Sequence, residues 1–324
     1  MRVSQVDELV QEIRGVTGGR PVVVAFSGGL DSTVVAALCR RALGPDNVLL
    51  VTVNMGQYAY HRGNEIVLEI ADALGLRQRC LIGQPMQDRI MASGPACNRC
   101  TRDIKLGLVK AAAQGRLVLT GANRSDTWGR FGLRVCNGYY APLLDLDKEQ
   151  IRALAAELGV TPPRIGENPG REGCKLKHLL KPLANRDYHG RAVAAANEVV
   201  LEVVRRTGFA AELANVKIVG PLRRNIGLVN LHPRPPDGVT RSVLLALAQL
   251  PELDEVHIVD KPLVLVAKAN PSILGDVQAR YWLQHGRMQP DFAQPIEVEW
   301  HPARNRKLKT FHVVAFRWAD PGAA

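Results

Sequence analysis

An apolar run, PVVVAF (21–26), passes directly into Ser27-Gly28-Gly29-Leu30-Asp31-Ser32-Thr33, and a helical pattern leaves it. This strand, glycine turn and helix constrain the fold more than any other feature of the chain. Two adjacent glycines let the backbone turn tightly and approach a ligand without a Cβ in the way. The hydroxyls of Ser27, Ser32 and Thr33, with the amides at the helix start, define a phosphate or pyrophosphate site. The Gly-Lys-Ser/Thr ending of a Walker A loop is missing, and so is a G-x-G-x-x-G fingerprint. A plain Gly-Gly turn, with Asp31 or Ser32 as helix N-cap, is the bland alternative. The position of the loop, after the first apolar strand and at the head of the first crossover helix, argues against it.

The apolar runs 21–26, 47–54, 76–82 and 116–121 alternate with helical patterns at about 31–43, 63–74, 101–114 and 147–158. That alternation predicts an α/β fold with a doubly wound, mostly parallel sheet, whose ligand loops follow residues 26, 54 and 121. A Pro/Gly-rich stretch, 161–173, a basic segment, CKLKHLLKPL (174–183), and a helix at about 187–206 come next. Six further strand-like runs, with helices near 240–249 and 274–285, predict a smaller C-terminal α+β domain. The expected boundaries are 1–160, 161–210 and 211–324. An apolar content of 46% with 23% charged residues is globular composition. No apolar stretch is long enough to span a membrane, and the charged N-terminus lacks an apolar core, so a cytoplasmic location without membrane contact is expected.

SGGLDST at this place resembles the PP-loop (N-type) ATP pyrophosphatase superfamily, over roughly residues 20–160. The resemblance implies an adenine nucleotide α-hydrolase-like fold and ATP cleavage between the α and β phosphates. Ser27, Gly28, Gly29, Asp31, Ser32 and Thr33 would cradle pyrophosphate, and Asp31 would help hold Mg²⁺. The product would be an adenylated substrate open to a nucleophile. TGANRSDT (120–127) follows the fourth apolar run, where the superfamily carries a Gly-His-x-x-x-Asp-like loop. Gly121 and Asp126 match that loop, while Asn123 or Ala122 stands in place of the histidine. Residues 142–160 resemble the superfamily's closing strand and helix, although Lys148 and its neighbours fit a plain amphipathic helix equally well.

The superfamily divides by nucleophile into ammonia users and sulfur users, and the loop alone does not choose. Six cysteines in a chain of this kind suit metal or sulfur chemistry better than a disulfide framework. Cys97-Asn98-Arg99-Cys100 runs into a basic helix, and C-x-x-C brings two thiolates onto one metal or cluster edge. The arrangement resembles tRNA thiolases that use a [4Fe–4S] cluster, and that resemblance implies Cys174 as a third ligand. Two other readings stay open: a zinc site of Cys97, Cys100, Cys174 and His178, and a disulfide or persulfide relay between Cys100 and Cys174. Cys39 and Cys80 lie in apolar patterns and are expected in the core.

The net charge is +11. Basic clusters at Arg171, Lys175, Lys177 and Lys181, at Arg205, Arg206, Arg223 and Arg224, and at Arg304, Arg306, Lys307 and Lys309 are of a type that serves RNA phosphates, or are solvated faces. The leading expectation is therefore an ATP-dependent sulfurtransferase with catalytic Asp31, Cys97, Cys100 and Cys174 and a [4Fe–4S] cluster. Its partners would be ATP, a sulfur donor, a tRNA or small nucleotide, and a second copy of the chain. The alternative is an ammonia-dependent ATP pyrophosphatase ligase with structural Zn²⁺ on the C-x-x-C.

Overall fold

The computed structural model describes residues 4–126 and 132–319. Thr127, the last residue of the second phosphate-loop segment, lies outside them. The backbone divides into two compact units. The first comprises Met1–Met55, His61–Gly83 and Thr101–Arg164, and the second Gly56–Tyr60, Gln84–Cys100 and Ile165–Ala324.

In the first unit, helix α1 (Gln5–Thr17) starts at Ser4, whose Oγ accepts from the Asp7 N–H, and ends at Gly18. Strand β1 (Val22–Ala25) is flanked by parallel neighbours on both sides, β2 (Val48–Asn54) and β4 (Val118–Leu119), in register Val23↔Leu49 and Val23↔Val118. Its valines are buried because a central parallel strand is covered on both faces. Between β1 and β2 runs α2 (Leu30–Leu43), and α3 (His61–Ala73) precedes β3 (Arg77–Ile82). The sheet order is β3-β2-β1-β4-β6-β5, with β6 (Tyr139–Tyr140) parallel to β4 and β5 (Val135–Cys136) antiparallel to β6. This is the doubly wound, mostly parallel α/β sheet of the adenine nucleotide α-hydrolase type. The strand order reverses between β1 and β4, so the crevice beyond their carboxyl ends is the position for a ligand.

Strand β3 is the sheet edge and presents Arg77, Gln78 and Arg79 to solvent, a charged edge that resists pairing with another chain. Cys80 is exposed there, contrary to the expectation of a core thiol, whereas Cys39 on α2 is buried. Burial raises the Cys39 thiol pKa, so it stays protonated.

The second unit contains α4 (Gln84–Met91), the helical turn α5 (Cys97–Arg99) and two three-stranded sheets. One sheet joins β7 (Leu213–Val219), β8 (Ile226–His232) and β9 (Glu255–Ile258). The other joins β11 (Ile296–Pro302), β10 (Leu263–Ala269) and β12 (Phe311–Trp318). Both are mixed: β7 is antiparallel to β8 and β12 to β10, while β9 and β11 run parallel to their neighbours. Val219, Leu228, Leu263, Leu265, Phe311 and Val313 fill a common core. Asn197, on the long helix Arg191–Thr207, donates to Val193 O and Val216 O and accepts from the Val216 N–H. A buried amide thereby satisfies the backbone of β7 where no strand is paired. The helix expected over 274–285 is broken into Pro271–Leu274, Val277–Tyr281 and a wider turn, Trp282–Met288.

Candidate active site

At the carboxyl end of β1 the chain turns on Gly28 at φ +76°, a conformation that disfavours any side chain. A Cβ there would also lie 2.9 Å from Val67 Cγ2. Ser32 Oγ accepts from the Ser27 N–H at 3.2 Å and lies 3.1 Å from Ser27 Oγ. The Ser32 and Thr33 hydroxyls both donate to Gly29 O at 3.0 Å. The loop is thus held in shape by its own hydroxyls. Gly29, the residue that caps α2, has no side chain to occupy the first amides, which leaves the positive end of the helix open to an anion.

Asp31 stands in the first turn of α2. Its Oδ2 accepts from Lys148 Nζ at 2.6 Å and from Asn123 Nδ2 at 3.1 Å. Its Oδ1 is buried and has no hydrogen-bond partner among the described residues. A carboxylate fixed on one oxygen and orphaned on the other fits a hard divalent cation such as Mg²⁺. Lys148 opens the helix Lys148–Glu157, which Asp147 and Gln150 close with a capping box.

The loop after β4 completes this side of the crevice. A Cβ on Gly121 would meet Asp31 Cβ at 2.9 Å and Ser32 N at 3.0 Å, so glycine alone lets the two loops approach. Asn123 is fully buried, and its Oδ1 accepts from the Ser125 N–H and hydroxyl. The Asn123 N–H donates to Asp126 Oδ2 at 3.2 Å. Burial raises the Asp126 pKa, against the hydrogen bond from Asn123 and the attraction of Lys148. The eight nucleotide-site positions expected from the sequence lie on the two loops that end β1 and β4 and on the first turn of α2. Asn123 and Lys148 belong with them. The Asn123 contact had no signal beyond the missing histidine.

A model of the NAD synthase family matches residues 2–172, just over half of the chain. The chain belongs to the NAD synthase family. With that family it belongs to the PP-loop ATP pyrophosphatase superfamily. It is 29% identical to the NH(3)-dependent NAD(+) synthetase of Hyperthermus butylicus over 226 residues, covering 62% of this chain and 82% of the relative. The corresponding synthetase of Chlorobium phaeobacteroides is 34% identical over 51% of this chain and 62% of its own. The glutamine-hydrolysing GMP synthase of Acinetobacter baylyi is 23% identical over 84% of this chain and 53% of its own.

Family membership corrects the leading expectation from the sequence. The matching family is named for NAD synthesis and the NAD synthetase relatives for ammonia dependence, so the sulfurtransferase reading, its [4Fe–4S] cluster, its sulfur donor and its tRNA thiolation fall. The second unit supplies the physical reason. Gln87 Nε2 lies 3.5 Å from Cys100 Sγ and 3.3 Å from Cys174 Sγ, so an amide stands between those two sulfurs. The guanidinium of Arg287 lies 2.8 Å from Cys97 Sγ, so that sulfur already has a cationic hydrogen-bond donor. Among the described residues no three His, Cys, Asp or Glu side chains are placed to hold one metal ion.

The zinc form does not fit either. Both His178 nitrogens are engaged, Nε2 with Glu167 Oε2 at 2.7 Å and Nδ1 with Lys217 Nζ at 2.8 Å. Burial and the neighbouring lysines hold this imidazole neutral, its pKa far below the usual value. Lys217 Nζ also meets Asp291 Oδ2 at 2.7 Å, and Lys177 Nζ meets Glu167 Oε1 at 2.6 Å. This buried network was missed in the sequence, although a lysine inside the apolar strand LANVKIV was its signal. Among the described residues no helix is long and apolar enough to cross a membrane.

Proposed function

We propose that this chain is an ammonia-dependent, AMP-forming ligase that converts a carboxylate on a nucleotide into an amide. One carboxylate oxygen attacks the α-phosphorus of ATP, the bond to the bridging oxygen breaks, and pyrophosphate leaves. Ammonia then attacks the acyl carbon of the adenylate, loses a proton, and expels AMP. Ser27, Gly28, Gly29, Ser32 and Thr33 receive the leaving pyrophosphate through backbone N–H groups and hydroxyls. Lys148 orients Asp31 and adds positive charge beside the phosphates. Asp31 Oδ1, with Asp126 nearby on the facing loop, would hold Mg²⁺, which neutralises the charge that develops on the phosphate oxygens.

The observation that carries this reading is the buried, unpartnered Asp31 Oδ1 at the mouth of a loop shaped for pyrophosphate, in a chain of the NAD synthase family. The names of the relatives supply ammonia as nitrogen donor and NAD(+) as product, hence the corresponding nicotinate dinucleotide as the acid. Such a reaction belongs in the cytoplasm, where ATP is held.

The test incubates the chain with ATP, Mg²⁺, ammonium chloride and nicotinic acid adenine dinucleotide, with xanthosine monophosphate as the second acceptor. Expected are equimolar AMP, pyrophosphate and amidated dinucleotide, undiminished in Cys174→Ser; amination of the xanthosine carbonyl instead overturns the carboxylate reading. Pyrophosphate release that ignores ammonium with both acceptors sinks the proposal.

A further inference from the structure

In the second unit a cleft of about 520 Å³ opens beside β12, within the usual size range of small-molecule sites. Its walls are apolar and include Leu222 and Leu308. Leu308 is buried, while Leu222 keeps 42% of its surface in water, so one wall is left uncovered. Lys268, Arg304 and Lys307 stand around this apolar floor, and no carboxylate lines it among the described residues. These three cations have no ion pair with any described residue. Elsewhere on the unit Arg224 pairs with Glu255 and Arg317 with Glu299. Three like charges gathered without a counter-charge cost energy unless an anion joins them.

Asn305 and His312 are the uncharged polar groups of the lining. His312 Nε2 donates to Gly220 O at 2.7 Å, which leaves Nδ1 as a bare acceptor. Burial pushes the imidazole pKa down to about 4, so at neutral pH it adds a hydrogen-bond acceptor and no charge.

We propose that this cleft binds a small organic phosphate with a flat apolar body, its phosphate held by Lys268, Arg304 and Lys307 and its body against Leu222 and Leu308. A concave, mostly apolar lining suits a compact ligand, whereas an extended nucleic acid would need a longer basic track. The cleft shares no lining residue with the Asp31 loop and does not depend on the ligase reading. Its role is recognition.

The probe is 4-methylumbelliferyl phosphate, titrated into the 324-residue chain and followed by its fluorescence. One probe should bind per chain. Lys268→Glu and Arg304→Glu should each weaken binding at least tenfold, and neutral 4-methylumbelliferone should bind at least tenfold more weakly than its phosphate. Lys148→Met, which alters the other phosphate site, should leave the affinity unchanged. Both reversed side chains are exposed, and unchanged thermal unfolding confirms that the variants fold. Leu222→Asp gives a second route, with the same tenfold loss expected. No binding, equal binding of the neutral probe, full affinity in the charge reversals, or loss in Lys148→Met overturns the proposal.

Discussion

Lys148 Nζ lies 2.6 Å from Asp31 Oδ2, joining the start of one helix to the start of another 117 residues earlier. Asn123 holds the same oxygen, so the carboxylate cannot rotate without breaking two contacts. The consequence is a fixed Oδ1 that is buried and unpartnered. Preorganisation of this kind lets a group act on developing charge without rearranging at the moment of reaction.

Asp31→Asn keeps the shape of the side chain and removes its charge. The expected result is a loss of about 10²-fold or more in ammonium-dependent pyrophosphate release, the scale seen when one preorganised electrostatic group is removed. Lys148→Met should cost less, about tenfold, because Asn123 still orients the carboxylate. Steady-state rates with saturating ATP distinguish the two. Wild-type turnover in Asp31→Asn removes this residue from the reaction.

Gly121→Ala tests the approach of the two loops. The added Cβ would meet Asp31 Cβ and backbone atoms of Asp31 and Ser32 at 3.0 Å or less, and backbone cannot step aside as a flexible side-chain tip can. A cost of about 1–3 kcal/mol is expected, with loss of the rise in melting temperature that ATP gives the parent chain. Gly173→Ala, where a Cβ meets nothing within 4 Å, is the matched control. Equal ATP stabilisation in both variants argues that the loops do not meet as described.

The first unit was largely legible because its signals are local. PVVVAF (21–26) read as an apolar strand, SGGLDST read as a phosphate loop, and the observed α2 starts one residue before the expected one. What escaped was decided by tertiary contact. The spacing from Asp31 to Lys148 carries no periodicity, so only the fold reveals that they meet. The short pair β5 and β6 is specified by its neighbours in the sheet rather than by an apolar run. The cysteines misled because C-x-x-C constrains how near two sulfurs can come without saying what each of them meets. Gln87 and Arg287 decide that, and neither stands next to the motif.

Lys217→Met should be strongly destabilising. Lys217 and Asp291 are both buried, and the lysine gives the acid its nearest cation at 2.7 Å, with Lys177 and Arg171 no closer than 4.0 Å. Removing one partner strands a buried charge, which costs about 3–5 kcal/mol, more than methionine packing returns. The shift in urea midpoint measures it. A change below about 1 kcal/mol would mean that water or another cation reaches Asp291.

The last prediction concerns alkaline pH. Lys181 is buried, and burial pushes its pKa down to about 7. Its Nζ lies 2.6 Å from Arg224 O and 2.7 Å from Pro221 O, so the neutral amine still has an acceptor for each of its two protons. As pH rises, the folded chain gives up this proton near pH 7, whereas the unfolded chain keeps it to about 10.4. Between those values the unfolded state binds one more proton, so unfolding free energy rises with pH by about 1.4 kcal/mol per unit from this group. The burial penalty is thus fully present below pH 7 and relieved towards 10. Lys217, pushed down to about 8, adds its own rise above that pH and is retained in Lys181→Met. Urea unfolding at pH 7.5, 8.5 and 9.5 should therefore give the variant a slope lower by about 1.4 kcal/mol per pH unit than the parent chain. Parallel slopes would mean that the ammonium keeps its proton among the oxygens of Pro221, Arg224 and the Asn225 side chain.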